Sequence, residues 1–187
     1  RQLARYVKEV GERYVDNIEV VLIYRNDRFL RGGDHTPYVQ RGYAAVRFTE
    51  MNENYTRQHQ DVRIENGIQY GDLETYIDYE YMRKNTGLNL ANLANLAKAP
   101  ATPDSVKMDV RRLSNNSFLY WQKPRTGKVK GYYVLVRETT SAFWQKKIFT
   151  TETEMRLPYS KDNYFFGVQA VNETGNESIP VVPLPGR

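Results

Sequence analysis

The spacing of apolar positions changes character twice along this chain. In RQLARYVKEVGERYV, Leu3, Tyr6, Val7, Val10 and Tyr14 recur at helical spacing and predict one amphipathic face. EVVLIY (19–24) and AAVRF (44–48) are instead short continuous apolar runs, the form of strands covered on both faces in a parallel sheet. Between them, PYVQRG predicts a short helix closing at Gly42. A strand, loop, short helix and strand in that order predict a crossover connection, with both polar loops leaving the carboxyl ends of strands. Open parallel sheets bind ligands at that edge. YGDLETYIDYEYMRKNTGLNLANLANLAKA then predicts one long helix, or two joined near Gly87, with Asp72 as N-cap and Glu74 in an acidic first turn.

At AKAPATPDS (97–105) two prolines and several small residues break the helical period, and a linker is expected at 99–104. Beyond it, VKMDVRRLSNNSFLYWQKP, GYYVLVRET, FWQKKIFT, EMRLPYS and NYFFGVQAVN alternate at the spacing of a seven-strand sandwich. The expected fold class is therefore α/β with part of a parallel sheet over residues 1–98, followed by an all-β sandwich over 105–187. Two strands do not make a stable parallel sheet, so the first part is expected to need strands from upstream sequence. The helical pattern already runs at Arg1, which adds to the expectation that the chain is cut from something longer.

Composition narrows the function classes. The chain has 187 residues, 40% of them hydrophobic and 26% charged, as expected of globular structure. No run approaches the roughly 20 apolar residues that span a bilayer, so no membrane span is expected. The absence of cysteine excludes disulfides, thiolate metal ligands and a cysteine nucleophile. Residues 1–103 hold 14 basic and 14 acidic side chains, whereas 104–187 hold 13 and 8, so the net +5 belongs to the second part. Its concentration in KPRTGKVKG (123–131) and at Lys146 and Lys147 reads as a solvated strand edge, or as weak adhesion to an anionic surface. No nucleic-acid-binding motif accompanies it, and nucleic acid is not expected as a partner.

Both histidines of the chain fall in the first part, in RGGDHTPY (31–38) and ENYTRQHQD (53–61). Histidine is the commonest protein ligand for zinc, and a carboxylate behind it usually fixes the ring. Asp34, His35, His59 and Asp61 are the right types, but they are also ordinary loop residues. No HExxH helix is present, and every serine lies in the linker or the second part without a nucleophile elbow. The residue types alone leave metal ligation and plain loop roles both open.

The run Asp34-His35-Thr36-Pro37-Tyr38, Gly42-Tyr43-Ala44-Ala45 and then His59 resembles the carboxyl-terminal half of the co-catalytic zinc aminopeptidases of metallopeptidase family 28. Tyr38 stands where phenylalanine is common, and Ala44 where proline is usual. The resemblance implies a peptidase that hydrolyses N-terminal peptide bonds by two-metal water activation, with two zinc ions in the intact enzyme. It implies His59 as a metal ligand, Asp34 and His35 behind the metals, and Glu50 and Tyr55 at the substrate pocket. The catalytic residues proper, including the general-base glutamate, would lie upstream, so the partners implied are a peptide substrate and the missing amino-terminal half. This chain alone is then expected to be inactive and to hold only part of the zinc site.

The second part resembles a fibronectin type III domain. Trp121 takes a core position, Tyr164 opens YFFGVQAVN, and Gly175 to Ser178 turn into the last strand. Phe143 and Trp144 read as core or interdomain packing. Such modules accompany secreted bacterial enzymes, so a secreted or periplasmic location is expected. Two alternatives remain: a non-catalytic binding or adhesion module on the same scaffold, and aminoacyl cyclase chemistry.

Overall fold

The computed structural model describes residues 1–25 and 32–186; Arg31, which opens the first histidine loop, and Arg187, which closes the sandwich range, lie outside the described residues. Helix α1 (Gln2–Tyr14) buries Tyr6, Val7 and Val10. Leu3 is half-buried, and Tyr14, the last residue of the expected face, is 55% exposed. Helix α2 (His35–Gln40) ends where expected, with Gly42 at φ +83 just past its C-cap. A hairpin follows, of β1 (Arg63–Glu65) and β2 (Ile68–Tyr70). Its turn residues, Asn66 and Gly67, both take positive φ, as a tight two-residue hairpin requires.

The long helix is continuous through Gly87 and starts later than its sequence suggests: α3 runs Tyr79–Lys98. Asp78, not Asp72, is its N-cap, accepting a hydrogen bond from the Tyr81 amide at 2.9 Å. Residues 74–76 form a separate 3-10 turn. Both aspartates have the right chemistry, but only Asp78 is followed by unbroken helical backbone. Helix α3 also inverts the usual burial order. It buries Leu88, Asn92 and Asn95 while Leu90 and Leu93 stay 66% and 67% exposed. The asparagines are inside because they bond there: the Asn92 Nδ2 amide donates to the carbonyls of Val7 and Leu88. Gly11 lets α1 approach α3 closely, since a Cβ there would fall 2.7 Å from Leu88 Cγ.

The expected strands at 19–24 and 44–48 are a correction. Both segments lack strand structure, and among the described residues no backbone pairing joins them to each other or to any sheet. A strand exists only through its neighbour's hydrogen bonds, so a suitable apolar run without a neighbour does not become one. The parallel sheet of the expected α/β fold is therefore not present in the described residues.

The second part is a sandwich of seven strands in two sheets. One sheet orders β7 (Glu154–Leu157), β4 (Ser117–Gln122), β3 (Asp104–Asp109) and β9 (Leu184–Gly186). The other orders β6 (Lys146–Thr150), β5 (Gly131–Glu138) and β8 (Tyr164–Val171). Val106, Leu119, Trp121 and Leu157 of the first sheet meet Tyr132, Val134, Val136, Phe166, Val168 and Ala170 of the second in one core. Burying each large apolar side chain there contributes about 1.5–3 kcal/mol. Trp121 packs edge-on against Tyr132, with ring centroids 5.4 Å apart. After β8 the chain touches it again through the bridges at Glu177 and Val181, then crosses over so that β9 pairs in parallel with β3.

The two parts are fastened together. Arg5 Nε donates to the Ala142 carbonyl at 2.7 Å, and Asn172 Nδ2 donates to the Lys98 carbonyl at 2.9 Å. Lys8 lies over the Phe143 ring, and Trp144 packs against Gly167, so this aromatic pair sits in the contact between the parts and against β8. Glu177, with a side chain only 6% exposed, accepts from Arg13 and Lys147. Lys147 also bonds Glu9 at 2.5 Å. One of the cations grouped by the sequence into a basic surface is thus committed to this internal network.

Candidate functional site

The first histidine is set by the start of α2. Asp34 is the N-cap residue, but its side chain makes no capping bond; the turn is closed by the Thr36 amide on the Gly33 carbonyl at 2.9 Å. His35 is half-buried, and its Nδ1 is fully buried with no hydrogen-bond partner. Gly33 lies tight against this ring, since a Cβ there would come 3.1 Å from Nδ1. Arg47 reaches back to the same loop, donating to the Gly32 carbonyl at 2.7 Å.

The second histidine belongs to a loop organised by residues that the sequence did not mark. Asn54 Oδ1 accepts from the amide and the hydroxyl of Thr56, a side-chain turn typical of asparagine. Glu53 accepts from Thr49 and from Gln58 Nε2. The Thr56 carbonyl accepts from Gly71, which fixes the loop to the hairpin, and Arg57 lies 3.8 Å from the Tyr76 ring centroid. His59 ends this turn, exposed, with φ +56. Glu50 and Asp61 are exposed as well, and Tyr55 is 61% exposed.

A cavity of about 500 Å³ opens between the segments around residues 20–24 and 45–49. Its floor includes Val7 and Leu88, and His35 lines one side. Asp34, Glu50, Tyr55 and His59 are not part of its lining. Among the described residues no three His, Asp or Glu side chains come together to hold a metal ion. The described donors therefore do not make a zinc site by themselves.

No protein-family model matches the chain. Over its whole length it is 44% identical to a probable zinc metalloprotease of Leptosphaeria maculans, covering 43% of that protein. It is similarly 43% identical to a probable zinc metalloprotease of Pyrenophora tritici-repentis, covering 39%, and 42% identical to one of Pyricularia oryzae, covering 38%. The chain thus spans about two fifths of the length of these curated relatives. They are fungal, where the sequence reading pointed to bacterial enzymes. Among solved structures, an Fn3-like protein from Clostridium thermocellum is 20% identical, with a TM-score of 0.36, over 48% of this chain and 96% of that one. No helix among the described residues is long and apolar enough to cross a membrane.

Proposed function

We propose that the full-length protein is a secreted zinc-dependent aminopeptidase, and that this chain supplies one edge of its site together with a fibronectin type III-like accessory domain. The identity of 42–44% along the entire chain to probable zinc metalloproteases carries this reading. The resemblance of the Asp34-His35 and His59 loops to the co-catalytic aminopeptidases supports the finer assignment.

In this reading His59 is a ligand of one of two zinc ions, Asp34 and His35 hold the loop behind the metals, and Glu50 and Tyr55 face the substrate. An exposed histidine on a loop braced by Glu53 and Asn54 suits that role, because its ring is accessible while its backbone is fixed. The remaining ligands and the general base come from sequence beyond this chain. A positioned side chain with a pKa near the working pH would move the proton.

The test is made on the full-length protein: zinc content, and hydrolysis of aminoacyl anilides before and after chelation. His59→Ala is expected to lower zinc content and to lower kcat/KM by at least about a hundredfold. Turnover that survives both chelation and His59→Ala overturns the reading.

A further inference from the structure

Asparagine two residues before serine or threonine, with no proline between them, is the acceptor pattern for N-linked glycans and marks a surface position in a secreted protein. Four tripeptides fit it: Asn54-Tyr55-Thr56 in the first part, and Asn115-Asn116-Ser117, Asn172-Glu173-Thr174 and Asn176-Glu177-Ser178 in the sandwich. The pattern alone does not rank the three in the sandwich. The contacts of each side-chain nitrogen do, because the sugar replaces a hydrogen on Nδ2. A nitrogen whose hydrogens are bonded inside the fold then loses a bond, whereas one that faces water loses nothing.

The two tripeptides after β8 belong to the joint between the parts. Asn172 Nδ2 donates to the Lys98 carbonyl at 2.9 Å and to Asn176 Oδ1 at 3.4 Å, so both of its hydrogens are committed. Asn172 Oδ1 accepts from the Thr174 amide and hydroxyl and from the Asn176 amide, which accounts for an asparagine here as a turn residue. Asn176 Nδ2 donates to Oδ1 of Asn95, a residue of α3 that is 3% exposed. The rest of that tripeptide is inside as well, with Glu177 and Ser178 at 4% and 3% exposure. Sugar is transferred before folding is complete. A chain that received it at Asn172 or Asn176 would not close this joint, and unfolded chains are removed by proteolysis.

Asn115 differs in each respect. It is exposed, and among the described residues its side-chain amide makes no hydrogen bond. Its loop is held by other groups: Lys161 Nζ donates to the Arg112 carbonyl, and the Asn116 amide donates to Ser114 Oγ. It precedes β4, whereas α1 and α3 hold the sandwich through Ala142, Lys147, Asn172 and Glu177, on or beside the sheet of β5, β6 and β8. We propose that Asn115 carries an N-linked glycan in the secreted protein and that Asn172 and Asn176 do not. This inference rests on the reading above that the full-length protein is secreted. Its curated relatives are fungal, and fungi glycosylate the proteins they secrete. In the transfer, Asn115 Nδ2 bonds the anomeric carbon of an oligosaccharide carried on a polyisoprenoid diphosphate. The bond from that carbon to the diphosphate breaks, the diphosphate leaves with the electron pair, and the amide gives up one proton.

The test expresses the full-length protein in a fungal host and treats it with peptide N-glycosidase in heavy-oxygen water, which converts a glycosylated asparagine to aspartate bearing the label. Peptide mass spectrometry is expected to find label at Asn115 and none at Asn172 or Asn176. Asn115→Gln is expected to abolish the label of the sandwich and leave secretion unchanged. Asn172→Gln, which withdraws the donor from the Lys98 carbonyl, is expected to lower the yield of secreted protein and alter no glycan. Label at Asn172 or Asn176 overturns the proposal, and so does a bare Asn115 in protein recovered from the medium. Protein that stays in the cytoplasm without glycan overturns it together with the secreted reading, whereas a bare Asn115 on a secreted, zinc-dependent peptidase overturns this inference alone. Label at Asn115 without zinc-dependent hydrolysis leaves the inference standing and sinks the peptidase reading.

Discussion

Tyr6 donates its hydroxyl hydrogen bond to the backbone carbonyl of Glu177 at 2.8 Å, across 171 residues of sequence. It joins the buried face of α1 to the loop that follows β8. Burial, with the charge of Glu177 adding to it, pushes the Tyr6 hydroxyl well above the ordinary tyrosine pKa. The neutral form is therefore the one the fold selects.

Because the folded pKa is raised, the stability linked to Tyr6 is fully present below the unfolded value of 10.0 and is lost as pH rises toward the folded value. Tyr6→Phe is expected to cost about 1 kcal/mol at neutral pH, the net worth of one hydrogen bond. Thermal unfolding followed from neutral to strongly alkaline pH should show a steeper loss above pH 10 in the parent protein than in Tyr6→Phe. Parallel profiles would mean that the hydroxyl does not titrate with the interface.

Glu177 holds two cations at once. Arg13 Nη1 lies 3.2 Å and Lys147 Nζ 2.6 Å from its carboxylate, which is 6% exposed. Burial draws the Arg13 guanidinium down, but its bond to Glu177 and the negative charges of Glu177 and Glu9 outweigh that and hold it above its ordinary value. Glu177→Gln leaves both partly exposed cations with Glu9 alone and is expected to cost about 1–2 kcal/mol, between the values for exposed and fully buried pairs. Glu9→Gln, on a more open residue, is expected to cost less than about 1 kcal/mol. Denaturant unfolding of the two variants measures the difference.

The α1–α3 contact depends on a missing side chain. A Cβ at Gly11 would lie 2.7 Å from Leu88 Cγ and 2.9 Å from its Cδ1, and Leu88 is 1% exposed. Alanine is worth about 1 kcal/mol more than glycine in a helix interior, while overpacking costs about 1–3 kcal/mol. Gly11→Ala is therefore expected to lower the unfolding midpoint, against the direction of helix propensity. Gly87→Ala is the control, since its nearest neighbour, Val15 Cγ2, would be an ordinary 3.6 Å away. That variant is expected to be neutral or stabilising.

The parts of this fold legible in the sequence are those specified by local pattern. The alternating runs of the second half form the sandwich, with Trp121 buried at 4% exposure, and α1 buries Tyr6, Val7 and Val10 of its predicted face. The hairpin at 63–70 was legible in principle, because Asn66-Gly67 is a strong two-residue turn signal. What pattern could not reveal depends on distant partners. Asn92 and Asn95 look like surface residues until the Val7 carbonyl and the Glu177 amide are brought to them. Residues 19–24 and 44–48 have the composition of strands, but pairing is a property of two segments and was not in either one. The bracing of the His59 loop by Glu53 and Asn54 is likewise short-range chemistry without a distinctive spacing.

The same distinction between composition and partnership governs metal binding by this chain. A catalytic zinc takes three protein ligands and one open position, and ligand binding requires the donors to be held together. Here His59 is exposed on its turn, His35 lines a cavity that does not include His59, and no cluster of three His, Asp or Glu side chains occurs among the described residues. Titration of the 187-residue chain with zinc at neutral pH is therefore expected to give weak binding, little changed by His59→Ala, and no turnover of aminoacyl anilides. In the full-length protein the same substitution is expected to remove a zinc ion. A tight one-to-one zinc site in the 187-residue chain that His59→Ala abolishes would show instead that donors within this chain converge on the metal without help from further sequence.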